Sequence, residues 1–230
     1  MLALSGVTDC YQPVERRLKI TRGCLEVLAE FRNPVSIVTK NHLVTRDIDV
    51  LRELARFGAA QVHLSINSLD NELARELEPR ASSPRHRLAA VEALAGAGIP
   101  VGVMVAPIIP GLNDHEIPSI LREAKTAGAG WAGMQVLRLP FNVAPIFKDW
   151  LGRCFPMKKE KVIGRIRAMR GGLLNDARFD KRHSGEGLFA EQIAQLFQVA
   201  RHKVGLAEDG PELSVAAFRR PGGLQLDLGL

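Results

Sequence analysis

Short apolar runs alternate with amphipathic segments along the first two thirds of the chain. The apolar runs are compact and rich in β-branched residues, a pattern typical of strands. Between them, apolar positions recur at helical spacing, which predicts helices. The predicted strands cover residues 2–7, 35–39, 62–66, 99–105 and 133–139. The predicted helices cover residues 14–31, 46–57, 84–97 and 114–127.

This alternation predicts an α/β fold with parallel strands and right-handed crossovers. The strands show little polar alternation, so we expect both faces of the sheet to be buried. A barrel of β/α units and a doubly wound sheet both satisfy the pattern. The sequence contains neither GxGxxG nor GxxxxGK[ST], which weakens the nucleotide-binding sheet. From about residue 150 the chain is mostly helical. We therefore predict a barrel-like domain over residues 1–150 and a helical extension, packed on it, over residues 151–230.

Composition favours a globular cytoplasmic protein. The chain has 230 residues, of which 46% are hydrophobic. No apolar run approaches the ~18–20 residues of a membrane span, and the first residues lack the basic region of a signal peptide. The three cysteines, Cys10, Cys24 and Cys154, lie far apart in sequence. This odd, scattered set argues against a disulfide framework and against a local CxxC-type metal site.

Positive charge is concentrated in the second part of the chain. The net charge is +6, and residues 151–230 hold 14 basic and 9 acidic residues. Most of the excess lies between residues 153 and 182, which includes Lys158, Lys159 and Lys161. Such a segment can attract nucleic acid or an acidic partner, or it can be a solvated helix face.

Polar residues follow the predicted strands. In parallel α/β barrels, functional groups collect at the C-terminal ends of the strands. Here Thr8 and Asp9 follow the first strand, and the carboxylate of Asp9 could bind an amine. Lys40 follows the second strand and could bind a carboxylate or form an ion pair at the rim. Ser65 and Asn67 are two residues apart, so on a strand they face one side and either bind a ligand or cap a turn.

Arginines add a second candidate chemistry. The guanidinium of Arg87 has the geometry to bind a carboxylate or phosphate, but it could also form a surface ion pair with Glu76 or Glu78. Together with Lys40 and Arg138, it suggests a barrel enzyme that acts on a carboxylate or phosphate ligand.

Several short motifs occur in a specific order and resemble a known family. They are TDCYQPVE at 8–15, TKN at 39–41, SIN at 65–67, LEPRA at 77–81, Arg87, and APIIPGLND at 106–114. Together they resemble the radical SAM proteins of the spore photoproduct lyase-like group, especially its bacterial branch of unknown substrate. The resemblance covers nearly the whole chain.

The resemblance implies a partial (β/α)6 TIM-like barrel. Members of that family bind a [4Fe–4S] cluster through a CxxxCxxC loop after the first strand. S-adenosylmethionine chelates the unique iron and is cleaved reductively to a 5′-deoxyadenosyl radical. The resemblance thus implies S-adenosylmethionine and [4Fe–4S] as cofactors, and it leaves the substrate and the catalytic residues unassigned.

Carried over by position, the resemblance implies six cofactor-binding residues. They are Thr8, Asp9, Lys40, Ser65, Asn67 and Arg87. The first two would approach the methionine amino group, and the next two would hold the carboxylate. The last two are second candidates for the carboxylate. Residues 106–108 would line the adenine side.

The sequence departs from the family in its first part. It begins at what corresponds to the second barrel strand, and the three cysteines do not form CxxxCxxC. We therefore expect a barrel that lacks its first βα unit and does not bind the cluster in the usual way. An exposed edge on the first strand would then favour self-association. A pseudo-enzyme that serves as a nucleic-acid- or protein-binding module is an alternative interpretation.

Overall fold

A five-stranded parallel sheet forms the centre of the protein. The computed structural model describes residues 1–5, 8–176, 178, 181 and 183–220. The strands pair in chain order, each parallel to the next, and Val35 lies opposite both Leu2 and Ala60. They are β1 (Leu2–Leu4), β2 (Val35–Thr39), β3 (Ala60–Ser65), β4 (Val101–Ile108) and β5 (Ala132–Val136). This mixed α/β architecture confirms the predicted partial TIM-like barrel.

Helices connect the strands and continue beyond the sheet. In the described ranges, 3₁₀ turns cover His42–Asp47, Asp114–Glu116 and Pro156–Lys158. The α-helices are α1 (Glu15–Leu18), α2 (Ile20–Phe31), α3 (Ile48–Ala55), α4 (Asn71–Leu77), α5 (Pro84–Gly96), α6 (Ile117–Thr126), α7 (Val143–Cys154), α8 (Lys159–Ala168) and α9 (Leu188–Val204).

The helix predicted over residues 14–31 is two helices. Lys19 adopts a left-handed conformation with φ 53° and separates α1 from α2. The buried carboxylate of Glu15 accepts hydrogen bonds from the backbone N–H groups of Ile20 and Thr21, at 3.1 and 3.0 Å. Glu15 therefore caps the start of α2, where the unpaired N–H groups need an acceptor.

The two faces of the sheet differ in burial, which corrects the expectation that both are buried. Residues such as Val62 and Leu64 are fully buried on the helix-covered face. The residues between them, such as His63, are only half-buried, as is Met104 on β4. The inner face of the sheet is therefore partly open, which leaves room for a ligand at the strand ends.

The C-terminal part of the chain packs on this sheet. Helix α9 packs on α6, and its residue Phe197 belongs to the same buried core as the strands. The segment after α9 crosses the N-terminal ends of the strands: Ala207 accepts from Ala132 N–H at 3.1 Å, and Ser214 N–H donates to Gly58 at 2.9 Å. Helix α7 spans position 150, the predicted domain boundary.

Two of the segments discussed from the sequence include residues that the structure does not describe. The predicted extension of the first strand to residue 7 lies outside the described residues, as does part of the basic segment. Within the described part of the chain, no helix is both long and apolar enough to cross a membrane.

Candidate functional site

A cavity of about 410 Å³ opens at the C-terminal ends of the strands. All five strands contribute to it, either directly or through the loop that follows. Its polar and charged lining includes Thr8, Asp9, Lys40, Ser65, Gln135 and Arg138. Four of the six residues predicted from sequence are therefore brought together around one space.

Asp9 ties the loop after β1 to the end of β2. Its carboxylate accepts hydrogen bonds from the hydroxyl of Thr39 at 2.8 Å and from the N–H of Lys40 at 2.8 Å. The N–H of Tyr11 donates to the same carboxylate at 2.9 Å. A carboxylate offers about four acceptor positions, so three donors leave one for a ligand. The neighbouring Thr8 is exposed and accepts a hydrogen bond from Gln12.

Lys40 faces the cavity but also has an internal partner. Its ammonium lies 2.5 Å from Glu78, and about a third of its side chain is exposed. An ammonium has three donors, so two remain for a ligand. The same two residues line a second space of about 420 Å³, which adjoins the first through Thr8, Asp9 and Lys40.

Arg87 lies behind this wall and does not line either space. Its side chain is 1% exposed, and Nη2 donates to Glu78 at 2.8 Å. The other donors bind the backbone carbonyl oxygens of Ser82 at 2.7 Å and Ser65 at 2.9 Å. The structure thus places Arg87 as a support for Glu78 and for the end of β3. The pairing with Glu78 considered from the sequence is present, but it is buried and not at the surface.

Asn67 is also buried behind the cavity, with 1% exposed. It lies two residues beyond the end of β3, so the two-residue alternation of a strand no longer fixes its direction. Its Oδ1 receives a long contact of 3.5 Å from Arg87, and its Nδ2 has no hydrogen-bond partner among the described residues. Ser65, in contrast, lines the cavity and donates to the carbonyl of Ala106 at 2.9 Å.

Asn113 holds the loop that follows β4, a role that the sequence did not reveal. Its Nδ2 donates to the carbonyl oxygens of Asn67 at 2.6 Å and Pro107 at 3.0 Å. Its Oδ1 accepts from the N–H of Ile109 at 2.6 Å. Its place in a PGLND turn was visible in the sequence, but Asn67, to which it donates, lies 46 positions earlier in the chain.

The three cysteines do not form a cluster. Cys10 is half-buried, and burial together with the charge of Asp9 raises the pKa of its thiol to about 11 against the opposing hydrogen bond from Ser5. Cys24 is exposed, and Cys154 lies beside Glu76 at the C-terminal end of α7. Across the ranges that the structure describes, no group of three His, Cys, Asp or Glu side chains could hold a metal ion.

The fold and site define a partial α/β barrel with a polar cavity at the C-terminal ends of its strands. The family described as the radical SAM superfamily matches residues 2–124, just over half of the chain. The chain therefore belongs to the radical SAM superfamily, as the sequence motifs predicted.

Sequence relatives agree with this membership. An uncharacterized protein of Mycobacterium tuberculosis is 34% identical over 157 residues, which are 67% of this chain and 46% of the relative. A GTP 3′,8-cyclase of Rhodopseudomonas palustris is 32% identical over 139 residues, which are 54% of this chain and 39% of the cyclase. The chain thus spans about half the length of the curated relatives it matches.

Solved structures show the same fold. A spore photoproduct lyase mutant with bound AdoMet and dinucleoside spore photoproduct has a TM-score of 0.53 at 18% identity. The match covers 89% of this chain and 58% of the lyase. A spore photoproduct lyase complexed with dinucleoside spore photoproduct has a TM-score of 0.53 at 16% identity, with 86% of this chain and 58% of that chain covered.

Proposed function

We propose that this chain forms the S-adenosylmethionine-binding part of a radical SAM enzyme whose substrate is not identified. One observation carries the proposal: the carboxylate of Asp9 and the ammonium of Lys40 line the same cavity at adjacent strand ends. An amino acid moiety carries an ammonium and a carboxylate on one carbon, so it needs an acceptor and a cation side by side.

The side chains around the cavity fit the methionine moiety. The remaining acceptor position of Asp9 suits the amino group, and the two remaining donors of Lys40 suit the carboxylate. The resemblance implies that Ser65 holds the carboxylate, but its hydroxyl donates to the carbonyl of Ala106, so it offers lone pairs to the amino group instead. Residues 106 and 107 contribute apolar lining on the adjacent strand, where an adenine ring can pack.

Bound S-adenosylmethionine supplies a 5′-deoxyadenosyl radical to enzymes of this superfamily when an iron–sulfur cluster reduces it. The described residues do not fit the cluster, because Cys10, Cys24 and Cys154 are scattered and no other ligand group is assembled. We therefore assign binding and orientation of the methionine moiety to this chain, and we derive no electron-transfer step from its residues.

Calorimetric titration with S-adenosylmethionine tests the proposal. We expect Lys40→Met, which keeps the apolar stem, to weaken binding about tenfold or more, because a charge-assisted hydrogen bond is lost. Lys203→Met is the matched control, since Lys203 lies exposed on α9 far along the chain from the cavity. If the wild type shows no binding, or if Lys40→Met binds as tightly as Lys203→Met, the proposal is wrong.

A second candidate function is suggested by a basic groove on the other side of the β4–α6 loop. It encloses about 480 Å³ and lies between that loop, α8 and α9. Lys158 and Lys161 line it and have no carboxylate partner within the part of the chain that the structure describes. Arg165 pairs with Asp114 at 3.1 Å and lies 5.1 Å from the ring of Phe189. We propose that this groove binds the phosphates of a nucleic acid.

A salt titration of DNA binding tests the groove. Neutralising Lys158 and Lys161 together should weaken binding and reduce its salt dependence, because fewer counterions are released. Lys159 serves as the control, since it does not line the groove and its ammonium lies near Gly152 on α7. Absence of binding at low salt, or equal losses from the control and the double variant, would argue against this function. Binding of an acidic protein in place of DNA would count against the nucleic acid as well.

A further inference from the structure

Arg138 is a cation at the cavity that has no counter-ion among the described residues. It follows β5 and lines the cavity on the wall opposite β1 and β2. Its Nε is buried and has no hydrogen-bond partner among the described residues. No carboxylate among them lies within ion-pair distance of its guanidinium. A guanidinium at a cavity with no described carboxylate beside it attracts an anionic ligand.

A second guanidinium supports this wall. Arg170 is 3% exposed, and it donates to the carbonyl oxygens of Lys181 at 2.7 Å and Leu137 at 3.0 Å. Burial lowers the pKa of Arg170, the nearby carboxylate of Asp176 opposes this change, and the charge of Arg138 lowers the pKa further. Asp176 is itself bound to Arg178 at 2.6 Å. Two guanidinium groups thus lie near each other, and no acid of the described chain pairs with Arg138.

The remaining charged groups of the cavity do not supply that acid. Asp9 is held by three donors on the far wall, and Glu78 is shared between Lys40 and Arg87. The wall at β5 therefore presents positive charge to a partly open space of about 410 Å³. Guanidinium groups bind the oxygens of carboxylates and phosphates through two parallel N–H donors, and the two terminal nitrogens of Arg138 offer such a pair.

We propose that Arg138 binds an oxyanion group, a carboxylate or a phosphate, of the substrate. This inference rests on the proposed function and adds the chemical class of the second ligand. We assign this oxyanion to the substrate and not to the methionine carboxylate, because β3 and β4 lie between the strand that precedes Lys40 and the strand that precedes Arg138. The two cations therefore lie on different walls of the cavity.

Arg170 positions this group without touching the ligand. Its two bonds hold the carbonyl of Leu137, which directly precedes Arg138, and the carbonyl of Lys181. Its charge also makes the wall more positive than Arg138 alone would. The cavity therefore has two charged ends, one suited to a zwitterion at β1 and β2 and one suited to an oxyanion at β5.

Nuclear magnetic resonance of the arginine side chains tests the inference directly. We expect inorganic phosphate or acetate to shift the Nε–H signal of Arg138 in a saturable way, while the signal of Arg122, exposed on α6, does not follow. Backbone signals of residues 135–138 report binding when Arg138 is replaced. Arg138→Gln should weaken anion binding about tenfold or more, and Arg138→Lys should restore only part of it. Arg122→Gln is the control. A response to phosphate alone or to acetate alone supports the inference and identifies the group.

The same titration separates this inference from the proposed function. With S-adenosylmethionine at saturation, the anion should still bind, and Arg138→Gln should bind S-adenosylmethionine normally. Competition between the two ligands, or an equal loss of both in Arg138→Gln, would assign Arg138 to the cofactor and overturn the inference. The absence of any shift in the wild type would also overturn it. An anion response without S-adenosylmethionine binding would refute the proposed function and leave the oxyanion site in place.

Discussion

Arg87 donates to Glu78 through Nη2 at 2.8 Å, and the same carboxylate lies 2.5 Å from the ammonium of Lys40. Glu78 is 12% exposed at its side chain and Arg87 is 1% exposed, so the pair is shielded from water. Glu78 therefore connects the buried guanidinium of Arg87 to the ammonium of Lys40 at the cavity. The site depends on this carboxylate even though Glu78 is absent from the motif positions expected to bind the cofactor.

Glu78→Gln should destabilise the protein. The substitution leaves the buried charge of Arg87 without an ionic partner, which costs several kcal/mol when one member of a buried pair is removed. Because the glutamine carbonyl can still accept from Arg87, we expect a loss of about 3 kcal/mol in the free energy of unfolding. Urea unfolding, followed by circular dichroism, measures this change.

Glu123→Gln is the control for Glu78→Gln. Glu123 is 46% exposed and its contact with Arg122 is 3.6 Å long, so its removal should change stability by less than about 0.5 kcal/mol. Equal stability of the two variants would show that the Glu78–Arg87 pair contributes no more than a surface contact.

Local sequence could predict which strand ends carry polar residues, because parallel strands deliver their C-terminal ends to one edge of the sheet. Thr8, Asp9, Lys40 and Ser65 reach the cavity for this reason. It could not predict that Arg87 points into the protein, since its partners at Ser65 and Glu78 meet only when α4 and α5 pack behind β3. The assignment of cofactor contacts to these residues stays a prediction.

The inner face of the sheet shows a second limit of sequence patterns. The sequence pattern predicts Gly102 and Met104 on β4 as apolar strand positions. Met104 is nevertheless only half-buried, and Gly102 leaves room for the side chain of Trp131. A hydrophobic residue type does not reveal whether a neighbour covers it. The partly open inner face depends on how the five strands and the segment after α9 are arranged, which is long-range information.

Gly102→Ala should destabilise the protein through a clash. A Cβ at this position would lie 2.3 Å from two ring atoms of Trp131, whose side chain is 5% exposed. Displacing a packed indole costs about 1–3 kcal/mol in unfolding free energy. Gly164→Ala is the matched control. Gly164 is exposed on α8, and a Cβ added there would meet no neighbouring atom within 4 Å.

Gly164→Ala should stabilise the protein by about 0.5–1 kcal/mol through helix propensity alone. Thermal or urea unfolding of both variants gives the comparison. A neutral or stabilising effect of Gly102→Ala would show that the indole moves without cost, which the tight packing on the strand argues against.

His63 should make stability depend on pH. Burial lowers the pKa of its imidazole below the usual 6.5, and Trp131 Nε1–H lies 3.3 Å from its Nδ1. The unfolded chain therefore binds a proton more readily than the folded protein, so stability is fully present above about pH 6.5 and falls as the pH drops through the folded pKa. Protonation of Nδ1 would also remove the acceptor for the indole.

Unfolding free energies at about pH 7.5 and about pH 5.5 for the wild type and His63→Asn test this dependence. We expect the wild type to lose more stability on acidification than the variant does. His42, whose pKa is also lowered, by burial and by His86, contributes equally to both proteins and cancels in the difference. Parallel pH profiles for the two proteins would rule out His63 as a source of the dependence.

The outer edge of β1 should support self-association. In the described part of the chain β1 pairs only with β2, and Leu2 is 42% exposed. Leu2 N–H donates towards β2, to Pro34 at 2.8 Å, so by strand alternation the N–H of Ala3 points to the open edge. Unpaired edge groups can bond to a second copy of the same strand.

Ala3→Pro removes the outward donor while leaving the inward bond, and it should lower the dimer fraction in sedimentation velocity. Leu4→Pro is the comparison, because it removes an inward donor and should lower stability instead. A wild type that stays monomeric over the concentration range, or a dimer fraction that Ala3→Pro leaves unchanged, would place any association elsewhere on the surface.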